Sequence, residues 1–325
     1  MPTFVHSVSS YESQLRPEAA AHALRLFAPE TLLVSAYDIE NEPKDDVTKL
    51  IDHVEASRSA GSVVFLDSGN YEAWRKADLT WEPPRLHAAF ARLPHDIAFC
   101  FDAFDPPQSS SEVVDCAVRS LERESKYTPR PLVPIIHAPR QADGSPRYEL
   151  LPEILKEVSG ALRPVLIAVP ERDLGDGLLR RALTVTEIRS NLDQLGFYQP
   201  LHLLGTGNPI SIAVLAEAGA DSFDGLEWCR TVVDYQTARL HHFHHYDFFS
   251  WQAESADSPI VRSAISDPNI AFAGKVTFHN LEFFSRWMRD LREPLKEKRL
   301  EFLGRFLPPE GLGQLESAMP RVFKP

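Results

Sequence analysis

Residues 201–230 read LHLLGTGNPISIAVLAEAGADSFDGLEWCR, and their pattern decides the fold. An apolar run over 201–207 ends in Gly-Thr-Gly. A helical stretch over 210–218 follows, then a second apolar run over 222–228. Two strand-like runs joined by a helix make a crossover unit, and such units place their strands in parallel. Working outward, further runs fall at 31–39, 62–69, 96–104, 132–139 and 164–170. Amphipathic stretches at 47–60, 85–93, 110–126, 150–162 and 178–195 separate them. Seven near-continuous apolar runs fit strands buried on both faces. A doubly wound sheet usually carries a glycine-rich phosphate turn after its first strand. After Ile39 this chain instead reads Glu40-Asn41-Glu42-Pro43. The expectation is one α/β domain over 1–325, a (β/α)8 TIM-type barrel. A His- and aromatic-rich insertion at about 234–275 interrupts the alternation before a long C-terminal helical region at about 279–307. The eighth strand is expected in that insertion.

Composition narrows the function. The 325 residues are 43% hydrophobic and 25% charged, with a net charge of −12, which argues against generic coating of nucleic acid. Cys100, Cys116 and Cys229 are three, widely spaced and without a CxxC, so a reducing cytoplasm is expected rather than a disulfide framework. Residues 1–16 lack a signal-peptide core, and no run of apolar residues is long enough to span a membrane.

A β/α barrel does its chemistry at the carboxyl ends of its strands. Here those ends read Asp67-Ser68-Gly69-Asn70, Asp102-Ala103-Phe104-Asp105, His137-Ala138-Pro139, Pro170-Glu171-Arg172 and Gly205-Thr206-Gly207-Asn208. The last run carries Asp224, followed by Glu227 and Arg230. Turn and cap formation accounts for Ser68, Asn70, Asn208 and for Asp105 before Pro106. It accounts less well for Asp67, Asp102 and Asp224, each set within or at the end of an apolar run, where a carboxylate is costly to bury. Three carboxylates around one pocket can supply a nucleophile, a proton carrier and an acceptor that orients a ligand. Glycosyl transfer is a natural use of such a set.

Three motifs carry a resemblance. Leu66-Asp67-Ser68-Gly69 resembles the Asp-Ser-Gly-Gly motif of tRNA-guanine transglycosylases. Residues 201–230 resemble their Gly-x-Gly strand, helix and Phe-Asp nucleophile strand. Phe278-His279-Asn280-Leu281 resembles their His-Asn-Leu helix. The resemblance implies a nucleophilic Asp224, a proton-shuttling Asp67, a base-reading Asp102 and a base-seating Ser68. It also places Gly69, His137, Glu171, Gly205, Gly207 and Arg230 at the substrate.

The chain departs from the family in four places. His137 stands where the family has Gln, and Val169-Pro170-Glu171 replaces its Gly-Gly-Leu. No cysteine follows Cys229, so the family's structural zinc site is absent as such, and no metal or cofactor is expected. Thr231-Val232-Val233-Asp234 replaces its Arg-Asn-Gly element. The last two departures favour its DNA-modifying relatives, which exchange guanine for a 7-deazaguanine derivative. The implied partners are DNA or tRNA and a 7-deazaguanine-type base, with a homodimer or an accessory protein alongside. The competing readings are a nucleosidase or base-exchange enzyme on small nucleosides, and a non-catalytic partner subunit.

Two further clusters stand out. His241-His242-Phe243-His244-His245 invites a metal reading, but adjacent histidines do not converge on one ion and no acidic or thiolate partner is spaced to help. Alternatives are an aromatic-rich loop or contact with nucleic acid through Tyr246, Phe248, Phe249 and Trp251. Arg286, Arg289, Arg292, Lys296, Lys298, Arg299 and Arg305 form the most basic region. It suits either phosphate contact or a solvated helix face paired with Glu293, Glu297 and Glu301.

Overall fold

A computed structural model describes residues 2–102, 107–293 and 299–323. Eight parallel strands form a barrel: β1 (Thr3–Val8), β2 (Thr31–Ser35), β3 (Val63–Asp67), β4 (Ile97–Phe99), β5 (Leu132–Val133), β6 (Ile167–Pro170), β7 (Leu201–Leu204) and β8 (Ser222–Gly225). Their order is β5-β4-β3-β2-β1-β8-β7-β6. Pro134 has no N–H, so the ladder of β5 stops after two residues. The ring is still joined there: the Ile136 amide donates to the Ala168 carbonyl at 2.8 Å, and the Ala168 amide to the Pro134 carbonyl at 3.1 Å. Helices alternate with the strands, giving the (β/α)8 TIM-type barrel that the crossover pattern predicts.

The eighth strand is not in the insertion. It is β1, at the N-terminal end, paired with β2 on one side and β8 on the other. Its sequence, Thr-Phe-Val-His-Ser-Val, mixes polar and apolar residues because both its faces meet other groups: Phe4 stacks on Phe284 outside, while Val5 faces the barrel interior. The residues after β8 form an antiparallel hairpin, β9 (Thr231–Val233) with β10 (Leu240–His242), separate from the barrel sheet. The final long helix runs Phe272–Arg292, starting earlier and stopping sooner than the sequence pattern suggests. Ala103, Phe104, Asp105, Lys296 and Lys298 lie outside the described residues, as does the side chain of Arg299.

Packing fixes where chemistry can occur. Val5, Leu33, Phe65, Phe99, Val133, Leu166 and Ala168 fill the barrel interior, while a larger apolar shell lies between strands and helices. Side chains alternate along a strand with a period of two. Val5 therefore shares its inward face with Ser7, and Phe65 shares its face with Asp67. The apolar layer closes the floor, and the next inward position toward the carboxyl end is polar. Truncating fully buried Phe99 to Ala would cost about 3–5 kcal/mol.

A candidate active site at the carboxyl ends of the strands

A cavity of about 730 Å³ opens above that floor, and Ser7, Asp67, Ser68, Asp102, His137 and Asp224 line it. Strands β1, β3 and β8 and the segments after β4 and β5 thus deliver the polar groups to one space. The three aspartates singled out in the sequence are brought together.

Asp224 is held from three sides. It accepts a hydrogen bond from the Ser7 hydroxyl at 2.7 Å on Oδ2 and from the Gly205 amide at 2.9 Å on Oδ1. His202 Nε2 lies 3.3 Å from Oδ1, and His202 Nδ1 lies 2.8 Å from the Ser222 hydroxyl. Both carboxyl oxygens thus accept hydrogen bonds from the protein.

Asp67 has the opposite setting. Burial, and then the negative charges of Glu72, Asp102 and Asp224, hold its carboxyl well above the usual carboxylate range. The Gly69 amide, at 3.2 Å, opposes this only in part. Behind it, Glu72 accepts from the Ser9 hydroxyl at 2.5 Å. Asp38 accepts from the Ser10 amide at 2.7 Å, and burial followed by the Glu72 charge raises it to about 7. The surroundings of Asp67 thus favour the neutral, proton-bearing form more than those of an exposed aspartate would.

Asp102 heads a charged chain that runs away from the cavity. Its Oδ1 accepts from the Ser68 hydroxyl at 2.8 Å and from Asn70 Nδ2 at 2.7 Å. Its Oδ2 meets His137 Nε2 at 2.9 Å. His137 Nδ1 meets Asp173 Oδ2 at 3.0 Å, and Asp173 Oδ1 accepts from Arg140 at 2.8 Å. Burial alone would lower His137, but the bonds to Asp102 and Asp173 outweigh it and raise it to about 9. His137 is thus a cation clamped between two carboxylates, a different device from a neutral glutamine.

The other residues singled out in the sequence divide. Gly205 lines the cavity and donates to Asp224. Glu171 lines it and pairs with Arg181 at 2.6 Å. Arg230 lines it, pairs with Glu12 at 2.8 Å and also bonds Glu227. Gly69 and Gly207 are not among its lining residues. Gly69 has φ 76°, and a Cβ there would lie 2.5 Å from the Tyr37 amide nitrogen. At Gly207 a Cβ would lie 1.5 Å from Glu227 Oε2, so the missing side chain makes room for that carboxylate. Asn208 caps helix Pro209–Ala218 by accepting from the Ile210 and Ser211 amides.

Several contributors escape a reading of strand ends. Ser7 and Ser9 were hidden with β1. His202 interrupts an apolar strand, and that interruption was the available clue. Glu72 and Asp38 sit on helices after strands, where an acid reads as an ordinary first-turn residue. Asp173 lies just past Glu171-Arg172, and nothing in the sequence ties it to His137.

The two outer clusters resolve toward structure. His241 packs on Phe249, and His244 stacks on Phe272 at 5.8 Å. Among the described residues, no group of three His, Cys, Asp or Glu side chains is arranged to hold a metal ion. His279 Nε2 instead donates to the Val233 carbonyl at 2.8 Å, and burial lowers its pKa to about 4. A zinc site of the family's kind does not fit these residues. Asn280 ties down the segment after β8, bonding Trp228, Thr231 and Val233 backbone groups at 2.7–3.0 Å. On the basic helix, Arg286 and Arg289 pair with Asp257, and Arg292 with Glu30. Arg286 also pairs with Glu282 of its own helix at 2.8 Å, so the helix's cations are paired both within it and with other elements. Among the described residues, no helix is long and apolar enough to cross a membrane.

Fold and site together define a β/α barrel whose carboxyl-end cavity is lined by two aspartates in different hydrogen-bonding and electrostatic settings. No family model matches the chain. A tRNA-guanine(15) transglycosylase of Methanothermobacter thermautotrophicus is 24% identical over 204 residues, 60% of this chain and 30% of the relative. A tRNA-guanine(15) transglycosylase of Archaeoglobus fulgidus is 23% identical over 214 residues, 64% of this chain and 43% of the relative. The chain is thus a distant homologue of archaeal tRNA-guanine transglycosylases, and it matches less than half the length of either.

Proposed function

We propose that the protein is a nucleic-acid guanine transglycosylase, exchanging guanine for a 7-deazaguanine derivative by double displacement, with DNA preferred over tRNA. One observation carries this reading: Asp224 and Asp67 line one cavity in opposite electrostatic settings. Carboxylates whose environments push them apart divide into nucleophile and acid. Asp224 attacks the anomeric carbon and the bond to guanine breaks, leaving the sugar esterified to Asp224. Asp67 gives its proton to the departing base. The incoming base then loses a proton to Asp67, its nitrogen attacks the same carbon, and Asp224 is released.

In this reading Asp102 accepts N–H groups of the base. Three protein donors already use it, and a carboxylate has about four acceptor sites, so roughly one remains. Ser68 and His137 fix its orientation, and Glu171, Gly205 and Arg230 complete the wall around the base and sugar. Gly207 acts indirectly, through the space it leaves for Glu227. A base stacked in duplex would have to be flipped into the cavity. The absent cysteines and the absent Arg-Asn-Gly element support DNA over tRNA. The test is incorporation of labelled guanine or a 7-deazaguanine into DNA and tRNA, with trapping of an adduct on Asp224. Turnover of free nucleosides without incorporation would replace this reading with a nucleosidase. Absence of both would leave the non-catalytic partner subunit.

A further inference from the structure

The cavity has an aromatic shelf at its mouth that base exchange itself does not use. Tyr71 and Trp74 lie three residues apart on helix Asn70–Arg75, so they share a face. Trp74 is 53% and Tyr71 40% exposed, and their rings are 6.4 Å apart. From the segment after β6, the Arg172 guanidinium reaches over both, 6.0 Å from Tyr71 and 5.6 Å from Trp74. Trp74 and Arg172 both border the cavity.

Charge separates Arg172 from its neighbours. Arg75 pairs with Glu12 at 3.2 Å, Arg140 with Asp173 at 2.8 Å, Arg181 with Glu171 at 2.6 Å and Arg230 with Glu12 at 2.8 Å. Arg172 has no ion pair among the described residues and is exposed. Arg75 also lies over the Trp74 ring, at 5.6 Å, and Asp173 feels the Arg172 charge, yet on a chain of net charge −12 an exposed guanidinium without an ion pair beside a half-exposed indole is a specific arrangement. A π-face takes a base of any identity, and a free guanidinium takes a phosphate. A nucleotide offers both at once.

We infer that Trp74 and Arg172 form a subsite for the nucleotide next to the exchanged one on a polynucleotide strand, its base on Trp74 and its phosphate on Arg172. The inference rests on the base-exchange reading for which nucleotide enters the cavity. It adds where the nucleotide next to the exchanged one is held.

The test is binding by the full chain of trinucleotides with a central guanine, in deoxy and ribo form, against the matching nucleosides. The trinucleotide-to-nucleoside affinity ratio should fall about tenfold in Trp74→Ala, the size of one lost base stack. Trp74→Phe should keep most of it. Arg172→Gln should lower the ratio and reduce the salt slope of binding by about 0.7, the loss of one phosphate contact on a single strand. A ratio and slope unchanged in both variants overturn the subsite, as does a wild-type protein that binds trinucleotides no better than nucleosides. Exchange assayed on the same samples keeps the two readings apart. Variant-sensitive binding without exchange leaves the subsite and removes the transglycosylase, whereas exchange indifferent to both variants does the reverse. The deoxy and ribo arms identify which polymer supplies the nucleotide.

Discussion

His137→Gln should remove a part of the protein's stability that depends on pH, and the structure fixes both its size and its sign. The imidazole is buried between Asp102 and Asp173, at 2.9 and 3.0 Å. Those carboxylates, against the opposing effect of burial, raise it from 6.5 to about 9. That displacement corresponds to roughly 3 kcal/mol in favour of the folded, protonated form. A raised folded pKa means the folded state holds the proton where the unfolded chain has lost it. The stabilisation is therefore complete below pH 6.5 and disappears as pH rises through about 9. Urea unfolding of wild type and His137→Gln, run from about pH 6 to about pH 10, reads it directly. Wild type should be more stable by about 4 kcal/mol at the acid end, the roughly 3 linked to the proton plus about 1 for a neutral hydrogen bond. The gap should shrink to about 1 kcal/mol, the worth of a neutral hydrogen bond, at the alkaline end. A gap that stays constant across the range, or widens with pH, would refute a charged His137 and with it the ionic account of how Asp102 is oriented.

Three other outcomes follow from the same geometry. On the proposed base-exchange reading, Asp224→Asn keeps the shape but removes the nucleophile, so trapped adduct should vanish and exchange should fall by at least about a thousandfold, measured by labelled-base incorporation. With Asp67 as the proposed acid, the single-turnover rate of base departure should decline on the alkaline side as pH passes its raised pKa, and Asp67→Asn should flatten that limb. Gly207→Ala puts a methyl group 1.5 Å from Glu227 Oε2, forcing the carboxylate off its seat; a loss of about 1–3 kcal/mol in urea unfolding is expected, against little change for Gly313→Ala, where nothing lies within 4 Å.

The sequence by itself determined the barrel, because strand-then-helix periodicity is local and parallel strands leave few other ways to connect. It also singled out carboxylates that share one cavity. Asp67 and Asp224 interrupt apolar runs, and desolvation makes such an interruption expensive unless it is used. It did not locate β1, because six residues of mixed polarity gain their apolar contacts only from Phe284 on the last long helix and from the barrel floor. Nor could it assign protonation. Asp67 and Asp224 look alike in sequence. Only the fold surrounds one with Glu72, Asp102 and Asp224, and the other with the Ser7 hydroxyl and the Gly205 amide, drawn from positions 7 and 205. The His137–Asp173 contact and the pairing of Arg286 and Arg289 with Asp257 are of the same kind. Periodicity records what a residue's own strand or helix demands. Charge and hydrogen bonding depend on neighbours brought in from elsewhere in the chain, so the different settings of these aspartates were decided by tertiary structure.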